Sequence, residues 1–321
     1  MRKRSILFCI AAAMSQSVAF SQSAWPTRPV TLVVGAPPGG SLDTLARMVA
    51  IPLASRLGKP VIVLNRAGGG QVVATAAVAS ADDGHTFLLA TEGLALNVRL
   101  HPDQPDPRTG LTPVMLMTRS SLSITAAPGS SYRTLPELIA EAKRRPGEIS
   151  YGSSGGTATV SNLVMVALQA TAGIKLLHVP YASGPQAVQA SIAKQTALAS
   201  GTSFLVRPYV DSGRLQALAV TSLVRNPSMP MIPTLAELGF PELTTYAWWG
   251  LLAPRSVPSA VVAYMHTELT SLLASQAMKD TLVQQGMEIV SSTPVAFAGF
   301  LDAEVTRWGN TIDKNNVRAG E

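Results

Sequence analysis

Cysteine is nearly absent. The 321 residues contain one, Cys9, inside an apolar run from Ile6 to Met14. Arg2, Lys3 and Arg4 precede that run, and small and polar residues from Ser15 to Ala24 follow it. This is the layout of an export leader, expected over residues 1–23 with cleavage between Ala19 and Ala24. The mature chain then has no disulfide, no thiolate nucleophile and no cysteine-ligated metal. Phe8 before Cys9 is not the small residue that lipid attachment favours, so no lipid anchor is expected. The leader's run is too short to span a bilayer, and no later run is longer. An exported, soluble chain is therefore expected.

Charge is also scarce. Charged residues make up 14% against 47% hydrophobic, which excludes a disordered chain. The net charge of +6 includes Arg2, Lys3 and Arg4, so it overstates how basic the mature protein is. No basic run with interleaved aromatics occurs, and no nucleic-acid partner is expected. H-E-x-x-H, EF-hand and P-loop patterns are missing as well, so no metal or cofactor is expected.

What is present is an alternation of strands and helices. Val30–Val34, Val61–Leu64 and Phe87–Ala90 read as strands. Leu42 to Leu57 carries helical spacing, with Pro52 expected to kink or divide it and Gly58 to end it. Ala74–Ala79 reads as a helix. The pattern resumes with a helix over Leu135–Arg144, where Thr134 and Glu137 are spaced as a capping box. A strand over Ile149–Tyr151, a glycine loop and a helix over 157–172 follow. Then come a strand over Leu176–Val179, a helix over Gly184–Lys194 and strands over Leu215–Val220 and Trp248–Leu252. Helices near 258–275, 278–285 and 294–310 complete the chain. This grammar indicates an α/β class with parallel strands. Two strand–Gly-Gly–helix units, near Gly39 and Gly155, lie in different halves. Ligands sit beyond the carboxyl ends of such strands, so two facing ends would make a cleft.

Gly152-x-Ser154-x-Gly156 fits two different chemistries. As a nucleophile elbow it needs a base and an acid in order after Ser154, and Asp211 with His266 is the one tempting pair. As an anion cradle it uses the hydroxyls of Ser153, Ser154 and Thr157 and the amides at Gly155 and Gly156. A merely structural turn is the third reading. The cradle accounts for every residue of the motif, while His266 falls within an expected helix rather than on a loop.

The chain resembles the Bug (TctC-like) family, the periplasmic solute-binding components of tripartite tricarboxylate transporters. The resemblance rests on "WPTRPVTLVVGAPPGGSLDTLAR" (25–47), "PVIVLNRAGGGQVVAT" (60–75), "DDGHTFLLAT" (82–91), "LPELIAEAKRRPGEISYGSSGGTAT" (135–159) and "HVPYASGPQAV" (178–188). "SGRLQALAVTS" (212–222), "IPTLAELGFPE" (232–242) and "WWGLLAP" (248–254) continue it in order. It implies a two-lobed, Venus-flytrap (type II-like) periplasmic-binding-protein fold crossed twice by the chain, with lobes over 24–120 plus 246–321 and over 121–245. It further implies a small carboxylate (a di- or tricarboxylate, an amino acid or an aromatic acid) held in the interlobe cleft, and delivery to the membrane subunits of a transporter. Acidic residues usual in the family are replaced by Leu64, Gly110, Ala190, Ala197 and Gly201, and an arginine by Gln216, which leaves the identity of the carboxylate open.

The expected cleft residues are Ala36, Pro37, Gly39, Gly40, Thr91, Glu92, Ser153, Ser154, Gly155, Thr157 and Tyr181. Asp43 is expected to cap the first helical turn and pair with Arg47. Glu92 follows a strand end and so faces the cleft, yet exposure statistics favour a solvated loop carboxylate. Beside a bound carboxylate it would be unfavourable unless the ligand also carries a cation. His178 and at least one of Trp248 and Trp249 are expected in structural roles. A monomer is expected. A secreted serine hydrolase using Ser154, and an orphan ligand sensor, are the competing functions.

Overall fold

The computed structural model describes residues 25–104, 106–154 and 159–318. The expected leader with Cys9, and Gly155, Gly156 and Thr157, lie outside the described residues. The chain begins β1 (Val30–Val34), α1 (Ser41–Leu57), β2 (Val61–Asn65), α2 (Val72–Ala79), β3 (Thr86–Ala90), α3 (Gly93–Leu100) and α4 (Pro107–Gly110). A long strand, β4 (Leu111–Ala126), leads to α5 (Leu135–Arg144), β5 (Ser150–Ser154), α6 (Val160–Ala172), β6 (Leu177–Tyr181), α7 (Gly184–Ile192), β7 (Leu198–Thr202), α8 (Ser203–Asp211) and β8 (Gln216–Val220). β9 (Tyr246–Pro254), α9 (Ser259–Ala274), α10 (Gln276–Gln284), β10 (Glu288–Ile289) and α11 (Pro294–Lys314) follow. No described helix is long and apolar enough to cross a membrane.

β4 joins two sheets. From Leu111 to Ser121 it pairs antiparallel with β9, which continues through β3 and β1 to β2. From Leu122 to Ala126 it pairs antiparallel with β7 and β8 instead, and β7 continues through β5 to β6. β1, β2 and β3 are mutually parallel, as are β5, β6 and β7, so each sheet carries the expected βαβ grammar. The chain returns to the first sheet just beyond Thr245, whose amide donates to the Thr221 carbonyl. The first crossing lies within β4, where it changes partner between Ser121 and Leu122, and the second at the start of β9, short segments where a few backbone torsions can absorb a hinge movement.

Local chemistry explains most element ends. Gly58 closes α1 at φ 66°, the left-handed region that suits glycine. Thr134 caps α5, but the Glu137 carboxylate takes the Arg133 amide rather than that of Thr134, so the capping box is only half formed. Pro52 does not divide its helix, since α1 runs on to Leu57. β5 extends to Ser154, three residues past the expected strand end.

Trp248 and Trp249 alternate on β9, and both are buried. Trp248 packs edge-on against Phe297 and Phe300, its ring 5.8 and 5.5 Å from theirs. A Cβ on the next residue, Gly250, would meet the Phe297 ring at 2.2 Å, so no side chain fits there. α11 is therefore clamped to the first sheet.

Candidate functional site

Six helices direct their N-termini at one cavity of about 300 Å³, lined by residues of both sheets and their loops. The N-cap residues Gly40 (α1), Gln71 (α2), Glu92 (α3), Thr159 (α6), Ser183 (α7) and Thr202 (α8) all line it. None of the six makes a side-chain cap hydrogen bond. Helices that start elsewhere are capped by Asp106, Thr134, Ser275 and Thr293, with α9, which follows Pro258, as the exception. The first amides of a helix have no intrahelical partner and carry the positive end of its dipole. The cavity therefore collects partial positive charge, and no Lys or Arg is among its described lining residues.

The first wall is built from β1, β2 and β3. Ala36, Pro37 and Gly40 line the cavity. Asn65 fixes this loop by donating from Nδ2 to the Ala36 carbonyl (3.0 Å) and to Asp43 Oδ1 (2.9 Å). Asp43 is buried, pairs with Arg47 and accepts the Gly39 amide at 2.9 Å. Burial acts to raise its pKa, but the bonds from Arg47, Gly39 and Asn65 prevail and hold the carboxyl below its ordinary value. Gly39 is thus a correction to the sequence reading. Its amide is committed to Asp43, and it is exposed at the loop tip rather than on the cavity wall.

Gln71 is the pin of this wall, and the sequence reading missed it. It is buried at φ 88°, receives the Thr91 amide on Oε1 at 3.2 Å and donates from Nε2 to Thr91 Oγ1. A Cβ on Gly35 would stand 2.6 Å from Gln71 Cγ, and one on Gly93 would stand 2.7 Å from the Gly70 carbonyl and 2.8 Å from Gln71 Nε2. Both glycines are therefore required for the clasp to close. With Gln71 donating to its oxygen, the Thr91 hydroxyl keeps its own proton to donate into the cavity.

The second wall carries Ser154, Thr159, Ser161, Ser183 and Gly184. Ser154 Oγ lies 3.3 Å from Ser161 Oγ, and Thr159 Oγ1 donates to the Ser154 carbonyl at 2.7 Å. Ser153 does not reach the cavity. The longer β5 turns it inward, where it is fully buried and bonded to His178 Nε2 at 2.8 Å. His178 stacks on Tyr151 at 4.9 Å, and burial lowers its pKa, as befits a structural histidine. Tyr181 is a further correction. Its ring lies 3.1 Å from where a Gly152 Cβ would be, packed on the strand instead of lining the cleft.

The hydrolase constellation does not assemble. Asp211 is paired with Arg207 at 3.3 Å, and His266 Nε2 bonds the Ser292 carbonyl at 3.1 Å from within α9. Neither is a partner of Ser154, whose hydroxyl neighbour is Ser161.

Among the described lining residues, Thr202 Oγ1, Trp249 Nε1 and Glu92 Oε2 are buried without a protein partner. Trp249 Nε1 is an unpaired donor, and Glu92 Oε2 is an unpaired acceptor. Glu92 is thus no solvated loop glutamate. Burial first, and then Glu304 nearby, push its carboxyl up to about 7, while its own amide and that of Trp248 pull the other way. Glu304 itself is buried and satisfied, accepting the indole N–H groups of Trp248 (3.0 Å) and Trp308 (2.9 Å) on Oε2.

The sequence profile described as the tripartite tricarboxylate transporter family receptor matches residues 45–317. Protein BugT of Bordetella pertussis is 32% identical over 302 residues, covering 93% of this chain and 92% of its own. An R. palustris protein solved with adipate superposes with a TM-score of 0.86 at 29% identity, covering 92% of this chain and 99% of the other. MatC from Rhodopseudomonas palustris with bound malate superposes with a TM-score of 0.82 at 27% identity, covering 90% and 100%.

Proposed function

We propose that this chain, which belongs to the tripartite tricarboxylate transporter receptor family, captures a small carboxylate in the cavity between its two lobes and presents it to transporter subunits in the membrane. Proteins of this family are periplasmic binding proteins rather than enzymes. The observation that carries the ligand reading is the set of six uncapped helix N-termini facing one cavity without a cationic side chain among its described lining residues. Such ends favour a negative ligand by up to about 2 kcal/mol each where partly buried, and spreading its charge over several backbone amides needs no arginine. The relatives solved with adipate and with malate support a carboxylate of similar size.

In this reading Ala36, Pro37, Gly40, Thr91 and Glu92 grip from the first lobe and Ser154 from the second, and Gly155 and Thr157, next to Ser154 in the sequence, are further proposed contacts. The lobes are 24–120 plus 246–321 and 121–245. The change of β4 partner between Ser121 and Leu122, and the start of β9 pairing at Tyr246, support those bounds. The expected export leader and the periplasmic family support a periplasmic mature protein. Mass spectrometry of small molecules released from gently purified protein tests the reading. A carboxylate at near one equivalent is expected, and a bound cation or neutral sugar would refute it.

A further inference from the structure

The two walls of the cavity offer donors, while Glu92 offers an acceptor. Among the described lining residues Glu92 is the one with an acidic or basic side chain. Its Oε2 is buried and left without a partner. Among the cavity's described lining residues no cation answers it. Glu304 of α11 adds a second negative charge. Arg307 is turned to Glu304 Oε1 at 3.7 Å and to the Thr244 carbonyl. On α3 itself, Arg99 is bound to Asp313 of α11 at 2.6 Å. On α1, the Arg47 guanidinium is bound to Asp43. A plain dicarboxylate entering the cavity would bring like charge to Glu92, which could meet it only by taking up a proton. A ligand carrying both charges would fill both requirements at once.

We propose that Glu92 is a recognition point for a cationic hydrogen-bond donor, and that the ligand is an amino-substituted carboxylic acid whose ammonium meets Glu92 while its carboxylates meet the helix N-termini and Trp249 Nε1. The inference rests on the carboxylate reading above and narrows it to zwitterions. It also fixes a proton balance. An ammonium beside Glu92 favours the ionised carboxylate, so binding near pH 7 releases a proton. A second carboxylate beside Glu92 would favour the protonated form and take one up.

Matched pairs that differ by the ammonium group test this: aspartate against succinate, glutamate against glutarate, and 2-aminoadipate against adipate. Calorimetry at pH 6, 7 and 8, in two buffers of different ionisation enthalpy, reads affinity and proton count together on the wild-type protein. In at least one pair the amino acid is expected to bind tenfold or more tighter at pH 8, to weaken toward pH 6 and to release protons at pH 7. Glu92→Gln should bring that pair's ratio to near one. Equal or tighter binding of the dicarboxylate in every pair, with proton uptake, would overturn the inference and leave the carboxylate reading standing. A ratio unmoved in a folded Glu92→Gln protein would overturn it too. If no member of any pair binds, both the inference and the carboxylate reading for ligands of this size fall together.

Discussion

Replacing Glu92 by glutamine should change how the ligand-free protein responds to pH. In the folded chain the carboxyl is raised from 4.5 to about 7, chiefly by burial and secondarily by Glu304. Between those values the folded state holds a proton that the unfolded chain has released. Stability therefore falls as pH rises through that window and levels off above it. The full rise corresponds to on the order of 3 kcal/mol. Part of the Glu92 residue remains open to the cavity, and screening there lowers the expected effect to about 2 kcal/mol. Glutamine cannot ionise, so the variant lacks this slope. For a chain of this length each kcal/mol moves Tm by roughly 2 °C. Relative to wild type, the variant should thus gain about 4 °C between pH 5 and pH 8. Scanning calorimetry of both ligand-free proteins at pH 5, 6, 7 and 8 measures this, and taking the difference cancels every other titrating group. A difference that stays flat across the range would refute a desolvated carboxyl at this position. One that moves against the variant would mean that Glu92 is stabilised as an anion by a partner.

Ser154→Ala should weaken carboxylate binding by roughly 1.5–3 kcal/mol, the worth of a hydrogen bond to a charged group. A fluorophosphonate probe should leave wild-type Ser154 unlabelled, and stoichiometric labelling would restore the hydrolase reading. Gly93→Ala sets a Cβ 2.7 Å from the Gly70 carbonyl. It should cost about 1–3 kcal/mol of stability through overpacking and weaken binding by displacing the Thr91 clasp, whereas an unchanged melting curve would show that the short 3-10 turn Gly69–Gln71 yields freely. Small-angle scattering should give a smaller radius of gyration once a tight ligand saturates the protein, and an identical profile would argue against hinge closure. The secreted chain should have an intact mass lacking residues up to between Ala19 and Ala24 and should titrate no thiol; one free cysteine per chain would contradict cleavage.

Local patterns in the sequence already carried much of the fold. Helical spacing from Leu42 to Leu57 with Gly58 after it set α1, Thr134 set the start of α5, and the Asp43–Arg47 pair four residues apart was visible as such. These depend on neighbours within a few positions, so they are legible in a linear string. The glycine-rich strand ends also pointed to a cleft, because their meaning follows from backbone geometry alone. β4 was not legible. Its sixteen residues are mostly buried because they serve two sheets in succession, so they show neither clean alternation nor a punctuating glycine. The roles of Ser153 and Ser154 were separated only by β5 running three residues further, since in a strand adjacent side chains take opposite faces. Only the packed structure could turn the six N-caps toward one another, bring α11 within reach of the Glu92 carboxylate and leave Trp249 Nε1 and Glu92 Oε2 unpaired in the same cavity. Those relations join residues as far apart as Gly40 and Thr202, or Glu92 and Glu304. No short-range preference encodes them, because they exist only once both sheets have been assembled on β4.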